Sequence, residues 1–172
     1  GGNKFDLAKW DERFFERLRD FISAAALRGI VVEICFFNAQ YPECWDRSPF
    51  YAANNIQGIG QYDLNDFQTT MHSDWYDLQK AYVSKIVKEV NRFDNVILEI
   101  CDEPTTKGTP SDKAVEWISG LADVIIETEN ALPKKHLIAQ QLETEVDFTA
   151  DDRIPVIVSQ YILHNQFRQV GG

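Results

Sequence analysis

Two adjacent carboxylates, Asp102 and Glu103, follow an apolar run and precede Pro104. The run, residues 95–101, is rich in aliphatic and β-branched side chains, which is typical of a strand buried on both faces of a parallel sheet. Because Pro104 cannot donate to a sheet ladder and favours extended geometry before it, the strand is predicted to end at the acidic pair. α/β barrels place catalytic groups at this end of their strands, so the pair predicts general acid/base chemistry. The alternative is a solvated strand end with no role.

The other apolar patterns predict helices that alternate with strands. Helices are predicted from an Asp11 cap to just before Gly29, from about Ser73 to Arg92, and from a Ser111 cap to about Ala131. Strands are predicted at Ile30–Phe37, Asn95–Cys101, His136–Leu142 and Pro155–Tyr161. This order predicts an α/β fold with a mostly parallel sheet, its strands in chain order, and helices on its outer face.

The connection from Asn38 to Met71 is long for a compact domain, and such connections are usually functional or disordered. Its aromatic side chains predict an ordered loop; they are Tyr41, Trp45, Phe50, Tyr51, Tyr62 and Phe67. Any one of them can be a packing residue of that loop. As a group beside a catalytic strand end, they could equally provide flat apolar surfaces for a bound ring.

Two predicted strands contain a similar four-residue sequence, Val-Glu-Ile-Cys at residues 32–35 and Leu-Glu-Ile-Cys at residues 98–101. Alternate residues of a barrel strand point inward, so Glu33 and Glu99 are predicted to share the phase of Cys35 and Cys101. The two glutamates can form a polar layer inside the barrel, with their hydrogen bonds satisfied, or they can take part in catalysis. Both cysteines are predicted to be buried free thiols, since three cysteines do not form a disulfide framework.

Composition narrows the function classes. The 172 residues are 44% hydrophobic, which is enough for one sizeable core. A net charge of −10 argues against a nucleic-acid partner. No apolar stretch reaches the ~20 residues of a membrane span, so no membrane partner is expected. The sequence has no phosphate-binding glycine loop, serine nucleophile elbow or zinc-ligand spacing, so neither a metal nor a cofactor is expected.

The histidines and the chain ends carry less information. His72, His136 and His164 are scattered, and we interpret them as structural. The chain starts at Gly1 without a methionine or a signal-peptide pattern, so the true N-terminus is expected to be missing. A secreted and a cytoplasmic location are therefore both open, and so is the oligomeric state.

Residues 100–104 resemble the strand-four signature of the clan A glycoside hydrolases, the cellulase-like (β/α)8 TIM barrels, which is usually written Asn-Glu-Pro. The resemblance covers about residues 4 to 161 and rests on short matches in the order of one cellulase-like branch: Lys4-Phe5-Asp6-Leu7, Trp10, Arg28-Gly29-Ile30-Val31-Val32-Glu33, Trp45, Ser48-Pro49, Asn54-Asn55 and Asp94-Asn95-Val96. It implies a partial TIM barrel, about strands 3 to 6 with their helices. Since a whole barrel takes ~250 residues, residues 1–172 would be a single incomplete domain.

The resemblance also implies a function, a retaining glycosidase that acts on β-linked oligo- or polysaccharides. Glu103 matches the general acid/base, and the nucleophile would come from strand seven, which is absent from this chain. Asp102, Tyr161, Asn38 and Trp45 are the expected substrate-binding residues. The isolated chain is expected to be inactive because it lacks the nucleophile strand.

The chain departs from the family pattern at two places. Asp102 stands where the family has Asn, whose amide can donate as well as accept. A second carboxylate beside Glu103 should raise the pKa of one of the pair. The His-Tyr pair that the family often has on strand six is Gln160-Tyr161 here, so only Tyr161 carries over.

Two alternatives from other classes stay open. One is a non-catalytic carbohydrate-binding or scaffold barrel in which Asp102 marks a decayed site. The other is a metal-dependent barrel enzyme such as a sugar isomerase, whose carboxylate ligands would be Glu33, Glu99, Asp102 and Glu103.

Overall fold

The structure of the protein, a computed structural model, describes residues 3–38, 41–104, 109–141 and 151–158. Within these residues the helices are Glu12–Ala26 (α1), Pro42–Trp45 (α2), Ser73–Val90 (α3) and Ser111–Asn130 (α4). The strands are Val32–Asn38 (β1), Val96–Asp102 (β2), Leu137–Gln141 (β3) and Val156–Val158 (β4). No helix in these ranges combines the length and apolar character that a membrane crossing requires.

The strands form one sheet in the order β1-β2-β3-β4, and each neighbouring pair is parallel. The predicted parallel sheet in chain order is therefore confirmed for the described residues. The predicted start of the first strand is two residues early, because Ile30 and Val31 lie exposed before the ladder begins. The predicted end of the last strand lies outside the described residues, as does Leu142.

The core lies between the sheet and the long helices. Val96, Leu98 and Ile100 alternate along β2, and each is at most 4% exposed. They belong to one buried cluster with Val87 of α3 and Trp117 of α4. Burial of these side chains away from water is the main stabilising contribution to such a layer. It also fixes the position of β2 in the sheet and therefore the position of the residues that follow β2.

Glu33, Cys35 and Glu99 share the opposite face of the sheet, where Cys35 lies beside Glu99 in the β1–β2 register. The predicted common phase is confirmed. The predicted burial of Cys35 is wrong: the residue is exposed, because β1 is an edge strand of the described sheet, whereas Cys101, on the same face of the inner strand β2, is buried as predicted. Partial desolvation of the thiol and the neighbouring Glu99 carboxyl raise the pKa of Cys35 to about 12. The thiol is therefore protonated at neutral pH and is not a nucleophile.

The described part of the connection after β1, residues 41–71, is folded, as its aromatic content predicts. It contains the short helix α2, which the sequence did not predict, and 3-10 turns at Ala52–Asn54 and Leu64–Asp66. The buried Asn55 ties the loop together, since its amide nitrogen donates to the carbonyls of Pro49, Tyr51 and Ile59. Gly60 has a φ of 101°, and a Cβ there would lie 2.0 Å from the Phe50 carbonyl oxygen, so only glycine fits.

The first helix begins at a side-chain cap that we expect to contribute measurably to stability. Asp11 Oδ1 accepts a hydrogen bond of 3.1 Å from the Arg13 N–H, as the sequence predicts for an N-cap. Asp11→Ala should lower the free energy of unfolding by about 1 kcal/mol in urea denaturation. The exposed Asp20→Ala on the same helix is the matched control. Equal losses in both variants would show that the cap contributes nothing beyond a surface charge.

Candidate functional site

The carboxyl edge of the sheet brings four polar residues from three strands together. Asn38 ends β1, Asp102 ends β2 and pairs with Asn38 in the register, Glu103 follows β2, and Gln141 ends β3. In a parallel sheet all carboxyl ends meet at one edge, so the placement of these residues follows from the topology. This edge is the candidate site.

Glu103 has a strained backbone. Its φ of 53° is in the left-handed region, and it is the one non-glycine residue in the described ranges with a positive φ. Such a conformation costs about 1–3 kcal/mol and persists only where the surroundings hold it. Here the Glu103 N–H donates a 2.8 Å hydrogen bond to Oε1 of Gln141. The turn at Glu103 is thus fixed from the neighbouring strand.

The Glu103 side chain is held by a phenol. The Tyr41 hydroxyl donates to Oε2 of Glu103 over 2.7 Å. Tyr41 lies in the segment after β1, at the N-terminal cap of α2. A hydrogen bond of this length from a neutral donor to a carboxylate is charge-assisted and directional. The carboxyl group therefore has a defined orientation at the sheet edge.

Asp102 is paired with Asn38. The Asn38 amide nitrogen donates to Oδ2 of Asp102 over 3.0 Å. The pKa of Asp102 is raised, first by desolvation and then by the charge of Glu103, against the opposing effect of the Asn38 hydrogen bond. The predicted rise for one member of the acidic pair is therefore confirmed at Asp102. Ionised Asp102 is held at a cost in free energy.

Two glutamines support the end of β2 from outside its ladder. The β2–β3 pairing is regular as far as Glu99 and Ala139. After this pair, hydrogen bonds from the buried Gln140 side chain take the place of backbone bonds between the two strands. Its Oε1 accepts from the Cys101 N–H at 3.2 Å, and its Nε2 donates to the Cys101 carbonyl at 2.7 Å. Gln68 of the loop donates to Sγ of Cys101 at 3.1 Å and to the Asn38 carbonyl, at the end of β1, at 3.3 Å. These bonds restrict the backbone just before the acidic pair.

An open pocket of about 310 Å³ borders Asn38. Its walls are mostly aromatic, with Ser48 and Pro49 at one side; the rings are Phe36, Phe37, Phe50, Phe67 and Tyr82. Its volume lies at the low end of the range of small-molecule sites.

Trp45 does not line this pocket. It is 9% exposed, and its ring packs edge-on against Phe67 at 5.4 Å and Trp75 at 5.7 Å. Trp45 therefore acts as a packing residue of the loop in this structure, and its contact with a sugar stays a prediction. Tyr51, which is 37% exposed, is the neighbouring ring that faces solvent. Tyr161 lies outside the described residues.

Sequence reasoning missed several residues of this edge. Gln140 and Gln141 carry the same signal as the acidic pair, polar residues at the end of an apolar strand, and could have been found by it. In the sequence, Tyr41 is one of six aromatic residues in the connection after β1, and nothing distinguishes it from the other five. Nothing in the sequence predicted that its hydroxyl reaches Glu103, because that contact depends on the path of the loop.

A third carboxyl group, that of Glu99, precedes this edge on β2 and lies on the face of the sheet that Cys35 shares. It is 6% exposed, and its pKa is raised by desolvation and by the charges of Glu33 and Asp102, against the hydrogen bond from Cys35. Within the described ranges, no three His, Cys, Asp or Glu side chains are grouped so that they could hold a metal ion. The described residues therefore contain no set of ligands for the metal-dependent barrel enzyme considered above.

No protein-family profile, curated protein or solved structure matches this chain.

Proposed function

We propose that this chain is part of a (β/α)8 barrel and that the barrel is a retaining hydrolase of β-linked sugars with Glu103 as its general acid/base. The observation that carries the proposal is the setting of Glu103. It follows β2 at the carboxyl edge of a parallel sheet, its φ is 53°, and its carboxylate accepts from Tyr41. Strained non-glycine residues of this kind cluster at active sites, where the surrounding structure offsets their cost.

The sheet supports the architectural part of the proposal. Parallel strands in chain order, with helices packed on one face, are the unit from which such barrels are built. We assign β1 to β4 to about strands three to six of eight. The nucleophilic carboxylate would come from a later strand, with its carboxyl group about 5–5.5 Å from that of Glu103.

The proposed reaction has two steps. In the first, protonated Glu103 gives its proton to the glycosidic oxygen while the nucleophile bonds to the anomeric carbon, and the leaving group departs as a neutral alcohol. In the second, the Glu103 carboxylate takes a proton from water. The water oxygen bonds to the anomeric carbon and displaces the nucleophile, which restores both carboxyl groups. Asp102 and Asn38 would contact the sugar, and the pocket beside Asn38 would receive a neighbouring part of the substrate.

The test compares two proteins on aryl β-glycosides. The 172-residue chain should show no measurable hydrolysis, because the proposal assigns the nucleophile to a later strand. The protein extended along its reading frame to include the remaining strands should hydrolyse them, and NMR should show the β-anomer as the first product. Glu103→Gln in the extended protein should lower kcat/KM on a phenyl glycoside by about 10²–10⁴-fold. Glu127→Gln, at an exposed position on α4, is the matched control.

Hydrolysis by the 172-residue chain that Glu103→Gln abolishes would overturn the assignment of the nucleophile to a later strand. An α-anomer as the first product, or a reading frame with no further strand that ends in a carboxylate, would overturn the retaining mechanism. Binding to a glycan array without turnover by the extended protein would instead support the carbohydrate-binding barrel with a decayed site.

A further inference from the structure

We propose that Tyr41, in the segment after β1, and Gln141, at the end of β3, are positioning residues that hold Glu103 for acid catalysis. The inference rests on the proposed function and goes beyond the resemblance, which assigns a role to neither residue. Tyr41 acts on the carboxyl group and Gln141 on the backbone.

Gln141 holds the strained turn. It is 1% exposed and pairs with Val158 of β4, so its side chain projects from a strand that is itself fixed on both sides. The amide oxygen lies 2.8 Å from the Glu103 nitrogen. Without this acceptor, the N–H would lose its partner and the left-handed conformation would lose a contact that offsets its cost. Relaxation of φ toward negative values would move the carboxyl group away from the sheet edge.

Tyr41 is anchored by the short helix that it caps. Pro42 follows it directly, and Trp45 at the end of α2 packs in the aromatic cluster with Phe67 and Trp75. The position of the Tyr41 hydroxyl is therefore fixed by packing of α2 against the core. Its hydrogen bond to Oε2 fixes the plane of the Glu103 carboxyl group. It also favours Oε1 as the oxygen that carries the proton, because Oε2 already accepts one.

The Tyr41 hydrogen bond assists the acid step of the proposed reaction. As Glu103 gives up its proton, its carboxyl group becomes a carboxylate, and a hydrogen bond to a carboxylate is stronger than one to the neutral acid. The Tyr41 contact thus strengthens along the acid step and favours transfer of the proton to the leaving oxygen. A good leaving group needs little protonation, so loss of this contact should be felt mainly with poor leaving groups.

The experiment uses the extended protein and two substrates, a phenyl and a 2,4-dinitrophenyl β-glycoside. Tyr41→Phe keeps the ring and removes the hydroxyl. We expect kcat/KM on the phenyl glycoside to fall about 10–100-fold, as for loss of a hydrogen bond to a charged group, and kcat/KM on the dinitrophenyl glycoside to change less than about threefold. Tyr62→Phe is the matched control, because that phenol also donates to a carboxylate, Asp74, at 3.0 Å. It should leave both values unchanged.

A second variant tests the backbone contact. Gln141→Ala should give the same preference for the good leaving group. Its control is Gln57→Ala, since Gln57 also accepts from a backbone N–H, that of Leu7 at 3.2 Å. If Gln141→Ala does not fold, Tyr41→Phe decides the matter alone.

The outcomes separate this inference from the proposed function. Equal losses of kcat/KM on both substrates in Tyr41→Phe, or no loss on either, overturn the inference while Glu103-dependent turnover leaves the proposed function standing. An extended protein with no Glu103-dependent turnover overturns both.

Discussion

Replacement of Glu129 by alanine should destabilise the protein by about 3–5 kcal/mol, which is the cost of removing one member of a buried ion pair. The carboxyl group of Glu129, at the end of α4, lies 2.6 Å from Nδ1 of His136, and both side chains are at most 3% exposed. It also accepts from the His136 N–H at 3.0 Å and the Asn91 amide at 3.2 Å. All three donors would lose this acceptor.

The same network makes stability depend on pH. The His136 pKa is raised, foremost by the hydrogen bond to Glu129 and further by that of its Nε2 to the Phe93 carbonyl. Two acceptors facing the two ring nitrogens favour the imidazolium. Since the folded pKa lies above the ordinary value near 6.5, the stabilisation is complete below that value and is lost as pH rises through the raised pKa.

Urea denaturation at several pH values between 5.5 and 9 checks both expectations. The wild-type free energy of unfolding should fall as pH rises through this range, and Glu129→Ala should be less stable throughout with a flatter dependence. Glu127→Ala, an exposed position two residues earlier on the same helix, should follow the wild-type curve. A parallel fall in Glu129→Ala and wild type would show that His136 does not owe its protonation to this carboxyl group.

The sequence was most informative where apolar periodicity and chain order decide the structure. The apolar runs predicted β1 and β2 to within two residues at each end, and the alternation of helices and strands predicted the parallel sheet. The errors have a common cause. Ile30, Val31 and Cys35 are apolar residues whose burial needs a covering element, and a one-dimensional pattern does not show which face or strand end is covered.

The contacts that position the candidate site were beyond sequence reasoning because they join residues far apart in the chain. The Tyr41–Glu103 bond spans 62 residues and the Gln141–Glu103 bond 38. Each depends on strand register and loop path, whereas the acidic pair itself is visible from its place at a strand end. His136 was interpreted as structural, and its bonds to Glu129 and Phe93 agree with that, but its partners could not be read from their spacing.

The second large effect concerns Asp102. Asp102→Asn removes a like charge beside Glu103 and adds a donor, while its oxygen can still accept from Asn38. The 172-residue chain should become more stable at pH 7 and unchanged near pH 3. The reason is that the Asp102 pKa is raised above its unfolded value, so its contribution is favourable below that value and is lost as pH rises through the folded pKa. Thermal unfolding at the two pH values measures this.

The same change should act on catalysis in the extended protein. An amide next to Glu103 can donate to a sugar hydroxyl that a carboxylate can only accept from, so kcat should rise about tenfold, the value of one hydrogen bond that strengthens in the transition state. The acid limb of the pH–rate profile should also simplify, because one of two interacting carboxyls is gone. Asp94→Asn is the matched control, since Asp94 precedes β2 at the other end of the strand. If Asp102→Asn stabilises the chain but leaves kcat and the acid limb unchanged, Asp102 does not face the sugar, and the substrate lies on another side of Glu103.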